Sequence, residues 1–182
     1  LHLGFATCGF HVAFLATHLP NEIALCGLPV SVASTSLAIV GIANLVGSLV
    51  VGWCVGRWRN KSILAVLYAV RVILIAAYLF MPRTDVNFYI FAAGLGLTWL
   101  ATVPPTAALT GRLFGTRYLA TLFGLTLLSH QIGGFLGAYL GGKAIMAFND
   151  YGWMWHADLV LAALAVVLHL MIREPNIQTP AS

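Results

Sequence analysis

Six apolar stretches, each about long enough to cross a bilayer, leave little room for any other architecture. They cover about residues 1–19, 32–55, 63–81, 88–109, 119–141 and 153–172. A membrane-spanning helix needs about 20 apolar residues. Short polar or charged turns at 21–22, 57–61, 83–87, 111–118 and 143–152 separate them. The stretches are continuously apolar rather than alternating, so helices are expected and a transmembrane barrel is not. Composition agrees: the chain is 60% hydrophobic and only 8% charged. A soluble domain carries about 25% charged residues. A soluble enzyme, a disordered chain and a secreted disulfide scaffold are therefore excluded, and three scattered cysteines make no disulfide framework. Residues 173–182 are polar and contain Pro175 and Pro180, which predicts a disordered tail after a six-helix domain over 1–172.

The distribution of Lys and Arg sets an orientation. Arg57, Arg59, Lys61, Arg112, Arg117 and Arg173 fall at one end of the bundle, and only Arg83 and Lys143 at the other. Basic loops stay on the cytoplasmic side. Both ends of this chain are thus expected to be cytoplasmic in a multi-pass protein of the cell membrane. Leu1 already lies inside an apolar stretch, with no basic leader before it, so the sequence is expected to begin part-way through a longer protein.

Small residues sit inside the spans. Gly52 and Gly56 form one small-xxx-small pair, and Gly133, Gly137 and Gly141 form a longer row. In lipid, close backbone approach through such residues drives helix association. The second and fifth spans are therefore expected to be the tightly packed ones. They are the central members of two three-helix halves, a pattern consistent with a 3+3 inverted repeat.

The segment from Gly52 to Lys61, Gly-Trp-Cys-Val-Gly-Arg-Trp-Arg-Asn-Lys, resembles a degenerate copy of the major facilitator superfamily loop signature, Gly-x-x-x-Asp-Arg-x-Gly-Arg-Arg/Lys. Gly52, Arg57 and Lys61 match; Gly56 stands where the signature is acidic, and Arg59 and Asn60 depart from it. Residues 111–142 are similar to the tenth-to-eleventh helix region of that superfamily, particularly in its monocarboxylate and oxalate/formate-like branches. The resemblance implies an all-α membrane fold, the C-terminal six-helix half of a twelve-helix secondary transporter. Such a protein moves a small solute, here a monocarboxylate or other organic anion, by alternating access. Gly52, Arg57 and Lys61 would form a conformational loop. Without the acidic residue, Arg57 would need a carboxylate from elsewhere, expected in the missing N-terminal half.

Polar groups inside the spans are costly and are functional candidates. Arg71 in the third span and Asp158 in the sixth are expected to pair, either as a structural ion pair or as a coupling site. The resemblance places the first and fifth spans along the central cavity. His11, and His130 with Gln131, are then candidate substrate ligands, since imidazole can carry a proton and neutralise a carboxylate. His18 shares a face with His11, while His156 and His169 are expected at headgroup level. Pro104 and Pro105 must break the fourth span. Trp99 and Thr102 beside that break are candidate lining and hydrogen-bonding residues. Each of these also has a plainer reading: a histidine bonded within the bundle, or a kink that shapes packing.

The chain carries no HExxH, no GxSxG and no Walker loop, so no enzyme chemistry, no ATP hydrolysis, no metal and no cofactor are expected. The expected partners are a small-molecule substrate with proton coupling, the lipid bilayer, and the missing half, with no nucleic acid. One alternative is a complete half-size transporter that pairs with a second copy. Another, of a different class, is a haem redox protein with His11 and His130 as axial ligands.

Overall fold

The computed structural model describes residues 1–175. Seven helices make up six spans: α1 (His2–Leu25), α2 (Val30–Val55), α3 (Asn60–Phe80), α4 (Asp85–Thr98), α5 (Val103–Phe114), α6 (Leu119–Phe148) and α7 (Gly152–Leu170). Helices α4 and α5 share the fourth span, which is interrupted where the prolines require it. All six spans are long and apolar enough to cross a membrane. Helix α1 runs through Pro20 instead of ending at it. In lipid, a freed carbonyl within a helix costs less than an open backbone, so a proline does not have to end the element.

The spans pack in pairs. Helix α1 lies along α6, α2 against α4, and α3 against α7. Exchanging the first three spans for the last three maps this pattern onto itself. The contact of spans one and five becomes that of spans four and two, and the contact of three and six is unchanged. With three spans in each repeat, the second copy must enter the membrane from the opposite side, which is the expected inverted repeat.

Glycines decide the closest contacts. A Cβ on Gly9 would lie 1.8 Å from the His130 carbonyl oxygen, one on Gly133 1.9 Å from that of Ala6, and one on Gly137 2.3 Å from that of Phe10. The fifth span is therefore tightly packed, as its glycine row suggested. The second span is tight at a different place from the one expected. Gly52 and Gly56 face open space, whereas a Cβ on Gly47 would lie 2.1 Å from the Leu97 carbonyl oxygen. The GxxxG spacing was present, but it points away from α4.

The basic end of the bundle is organised by one carboxylate. Helix α3 starts at Arg59 with no side-chain cap and no acidic residue in its first turn. Glu174, from beyond α7, supplies the missing acceptor. Its carboxylate accepts from the backbone N–H of Asn60 (3.0 Å) and Lys61 (2.9 Å) and from Arg112 Nη1 (2.9 Å). Arg59 donates to the Glu174 carbonyl at 2.6 Å, and Lys61 Nζ donates to the carbonyls of Leu170 and Ile172 at the end of α7. Glu174 is thus fixed to α3 and α5, in contrast to the tail expected from Arg173 onward; 176–182 lie outside the described residues. Glu174→Ala is expected to destabilise the protein by about 2 kcal/mol, because it leaves two helix-terminal amides and a partly buried guanidinium without their acceptor. Thermal unfolding of the detergent-purified protein measures this loss.

Candidate functional site

The break in the fourth span is the centre of the polar interior. Pro104 and Pro105 have no N–H to give the carbonyls of Leu100 and Ala101, so regular hydrogen bonding cannot cross this segment. The helix restarts with both prolines in its first turn, where a missing donor costs little. This leaves polar backbone at mid-span that lipid cannot satisfy.

Three neighbouring helices satisfy it instead. Arg71 of α3 is only 1% exposed, and its Nη2 donates to the carbonyls of Thr98 and Trp99, the latter at 2.8 Å. Asn44 of α2 accepts from the Leu100 N–H at 3.0 Å, with Ser48 donating to the same Oδ1 at 3.4 Å. Cys8 of α1 places its sulfur 3.2 Å from Thr102 Oγ1. The Thr98 and Trp99 carbonyls at the break are therefore occupied by a guanidinium.

Arg71 does not pair with Asp158. The Asp158 carboxylate meets His11 on α1, with Nδ1 to Oδ2 at 2.5 Å and both side chains at most 1% exposed. The two expected partners are each drawn elsewhere: the guanidinium by the concentrated carbonyls of the break, and the carboxylate by the imidazole on the adjacent helix. Trp99 lies beside this pair, its ring centroid 6.3 Å from that of His11.

Several of these groups keep unused hydrogen-bonding atoms. Arg71 Nε and Nη1, His11 Nε2, Asp158 Oδ1 and His130 Nε2 are buried and have no protein partner among the described residues. His130 of α6 packs on Phe5, with 4.9 Å between ring centroids, and lies beside Cys8. Of the five candidate substrate ligands, His11, Trp99 and Thr102 therefore come together at the break, and His130 adjoins them through Cys8. Gln131 does not join them: it is exposed on the outer face of α6.

The remaining expectations divide in the same way. Gly52 is exposed, and Arg57 folds back over Trp53, 3.8 Å from the ring centroid, and donates to its carbonyl. Lys61 instead joins α3 to α7. The carboxylate of the basic end, Glu174, serves Arg112 and the backbone amides of Asn60 and Lys61, and not Arg57. His169, in the last turn of α7, is buried and stacked on Tyr68, with 4.9 Å between ring centroids. A haem between His11 and His130 would need both rings facing a common gap. His11 is enclosed by Asp158 and Trp99, and the ring of His130 lies on Phe5, so the residues do not fit that group.

Asn44 and Ser48, one turn apart in the second span, were legible as a pair for interhelical bonding, and Asn44 does bond the Leu100 N–H; sequence reasoning missed the roles of Cys8 and Glu174. Only Glu174 left a signal, as the one acidic residue after the last span, close in sequence to the basic end it serves.

No protein-family profile matches the chain. It is similar to a Bacillus subtilis (strain 168) protein named an uncharacterized MFS-type transporter, YcxA, at 28% identity over 176 residues, covering 94% of this chain and 43% of that protein. It is also similar to an Escherichia coli (strain K12) protein named an uncharacterized MFS-type transporter, YhjX, at 26% identity over 125 residues, covering 69% of this chain and 31% of that protein. The chain thus spans less than half the length of these curated relatives. Both carry the names of transporters rather than of enzymes. Six apolar spans together with such relatives make this a multi-pass membrane protein.

Proposed function

We propose that this chain is the C-terminal half of a twelve-helix secondary transporter of the major facilitator type. It moves a small organic anion, of the monocarboxylate class, by alternating access. The observation that carries this reading is the interrupted fourth span, bonded at mid-span by a buried guanidinium whose Nε and Nη1 keep no protein partner among the described residues. Helices broken near the bilayer midplane are where transporters of this construction place their substrate sites. A guanidinium there favours an anionic solute, and a carboxylate matches its forked donors. His130 Nε2 adds a second buried group without a protein partner from the α6 side.

The relatives support the reading through their printed names, and the exchange symmetry of the spans supports it through the fold. In the full protein, the exposed faces of α2 and α6 turn toward the other half. The basic end around Glu174 faces the cytoplasm of a cell-membrane protein, as the clustering of Arg and Lys implies. Arg57, exposed on its loop, is available to a carboxylate of the other half.

The test is uptake by the full-length protein in liposomes, with labelled formate, lactate and oxalate. Saturable uptake of at least one is expected. In His130→Ala the rate is expected to fall about tenfold, the loss of one buried hydrogen-bonding group. Wild-type uptake by that variant would remove His130 from the site, and the absence of saturable uptake of every organic anion tried would remove the function.

A further inference from the structure

We propose that the α3–α4 hairpin, at the end of the bundle opposite Glu174, binds one zwitterionic phospholipid, with an acyl chain between the two helices and the phosphate on Arg83. A narrow apolar crevice separates the helices there. Leu74, Ala77 and Met81 of α3 line it with Phe88 and Ile90 of α4, and Arg83 stands at its mouth in the connecting turn. The crevice closes inward at Gly94 of α4, where a Cβ would lie 2.6 Å from Leu74 Cδ2. From Leu74 to Met81 it runs about 10 Å, at about 1.5 Å per residue. That is about two-thirds of the hydrocarbon depth of one leaflet. Ile73, Phe80 and Ile90 beside it are exposed and apolar, as a lipid-facing surface requires. The site needs only that the chain spans a bilayer; it does not depend on the solute.

An apolar crevice alone selects nothing, because a tail that leaves bulk lipid for it gains no hydrophobic energy. The headgroup contacts decide the occupant. The Arg83 guanidinium lies over the Tyr78 ring, 3.7 Å from its centroid, and Nη1 donates to the Tyr78 carbonyl. It makes no ion pair among the described residues. Glu22 of α1 is engaged by the Tyr78 hydroxyl, at 2.5 Å. The turn itself is pinned: Asn87 Nδ2 donates to the Pro82 carbonyl at 2.8 Å, and Thr84 accepts from the Asn87 N–H. Two residues after Arg83, Asp85 is exposed, with Oδ1 accepting from the Val86 N–H at 2.9 Å. The turn therefore presents one cation and one carboxylate at headgroup level. A phosphodiester matches the forked donors of Arg83. An ammonium on the same headgroup matches Asp85. A headgroup of net negative charge would meet Asp85 and Glu22 as like charges, so phosphatidylethanolamine fits the turn and phosphatidylglycerol does not. The bound lipid braces the first half of the broken fourth span against α3.

The experiment strips the full-length protein of lipid in detergent and titrates it with either lipid, counting bound molecules by native mass spectrometry. The wild type is expected to hold one phosphatidylethanolamine about fivefold more tightly than phosphatidylglycerol. Arg83→Gln is expected to weaken that binding about tenfold, the loss of one charge-assisted contact. Asp85→Asn is expected to abolish the preference between the two lipids. Lys143→Gln, at the other cation of this end, is expected to bind as the wild type does. Undiminished binding by Arg83→Gln, or tighter binding of phosphatidylglycerol by the wild type, would overturn the proposal. A preference that survives Asp85→Asn overturns the headgroup assignment. If Arg83→Gln does not fold, the wild type decides. Phosphatidylethanolamine with a photoactivatable diazirine in one acyl chain is expected to crosslink within residues 74–91. Crosslinks confined to other segments overturn the site.

Discussion

Gly133→Ala is expected to leave little folded protein. The added methyl would sit 1.9 Å from the Ala6 carbonyl oxygen, and that atom belongs to helix backbone, which cannot turn aside as a side chain can. Helices α1 and α6 would have to separate along the whole crossing, where Gly9 and Gly137 make the same kind of approach. Forcing groups into a close-packed site costs about 1–3 kcal/mol and sometimes more. Here the loss also includes the dispersion contacts of the pair, because lipid offers no hydrophobic drive to bring the helices back together. Gly52→Ala and Gly124→Ala, at positions with nothing near the added methyl, are expected to unfold at the wild-type temperature or slightly above it, since alanine is the better helix former. Thermal unfolding in detergent compares the three. A stable Gly133→Ala beside an unstable Gly52→Ala would reverse the assignment of the packed face.

The second large effect concerns which buried charge belongs to which partner. His11→Leu is expected to cost about 3–5 kcal/mol, because it strands the Asp158 carboxylate in the interior. His11→Leu with Asp158→Leu is expected to cost clearly less than the sum of the two changes, with a coupling of about 1–3 kcal/mol. Arg71→Met is expected to be as severe as His11→Leu, for a different reason: it removes the donor from the Thr98 and Trp99 carbonyls at the break. Combining Arg71→Met with Asp158→Leu is expected to show a smaller coupling than the His11 pair, since the two charges act on each other without a direct bond. Unfolding free energies of the single and double variants form the two cycles. Strong coupling in the Arg71 cycle and none in the His11 cycle would restore the pairing expected from the sequence.

These two cases show where the sequence is legible and where it is not. The six spans are visible because each apolar run is a long, local property of the chain. The break in the fourth span is visible because Pro104 and Pro105 remove donors whatever surrounds them. The basic end is visible because charge must stay out of the bilayer, and Arg59, Lys61 and Arg112 do gather at one end. Rotation of each helix about its axis is not visible. Helices α2 and α6 are apolar nearly all round, so no stripe marks the buried face, and a glycine pair at the right spacing does not say which way it points. That is why Gly52 and Gly56 were mistaken for the contact made by Gly47.

Partner choice is hidden for a related reason. Arg71 and Asp158 attract by charge, and only the fold reveals that unsatisfied carbonyls lie closer to one and an imidazole to the other. Glu174 reaches α3 from 114 residues away, so no local pattern at Asn60 could announce its cap. The candidate site divides along the same line. His11, Trp99 and Thr102 were found by residue type and do converge, while Gln131, chosen as the neighbour of His130, turns outward, since adjacent residues on a helix point in different directions.

That outward turn provides the most direct test of a water-filled pathway along α6. Gln131 lies mid-span on its exposed face, and Val160 is exposed on α7, which the proposed arrangement leaves against lipid because α2 and α6 face the other half. In the full-length protein with every native cysteine replaced, Gln131→Cys and Val160→Cys would each be treated in the membrane with a membrane-impermeant maleimide. If the chain is half of a transporter with α6 along its cavity, Gln131→Cys is labelled, with the labelling slowed by transported anion, and Val160→Cys in lipid is not. Labelling at Val160→Cys with none at Gln131→Cys would place water on the wrong side of the bundle and contradict the account.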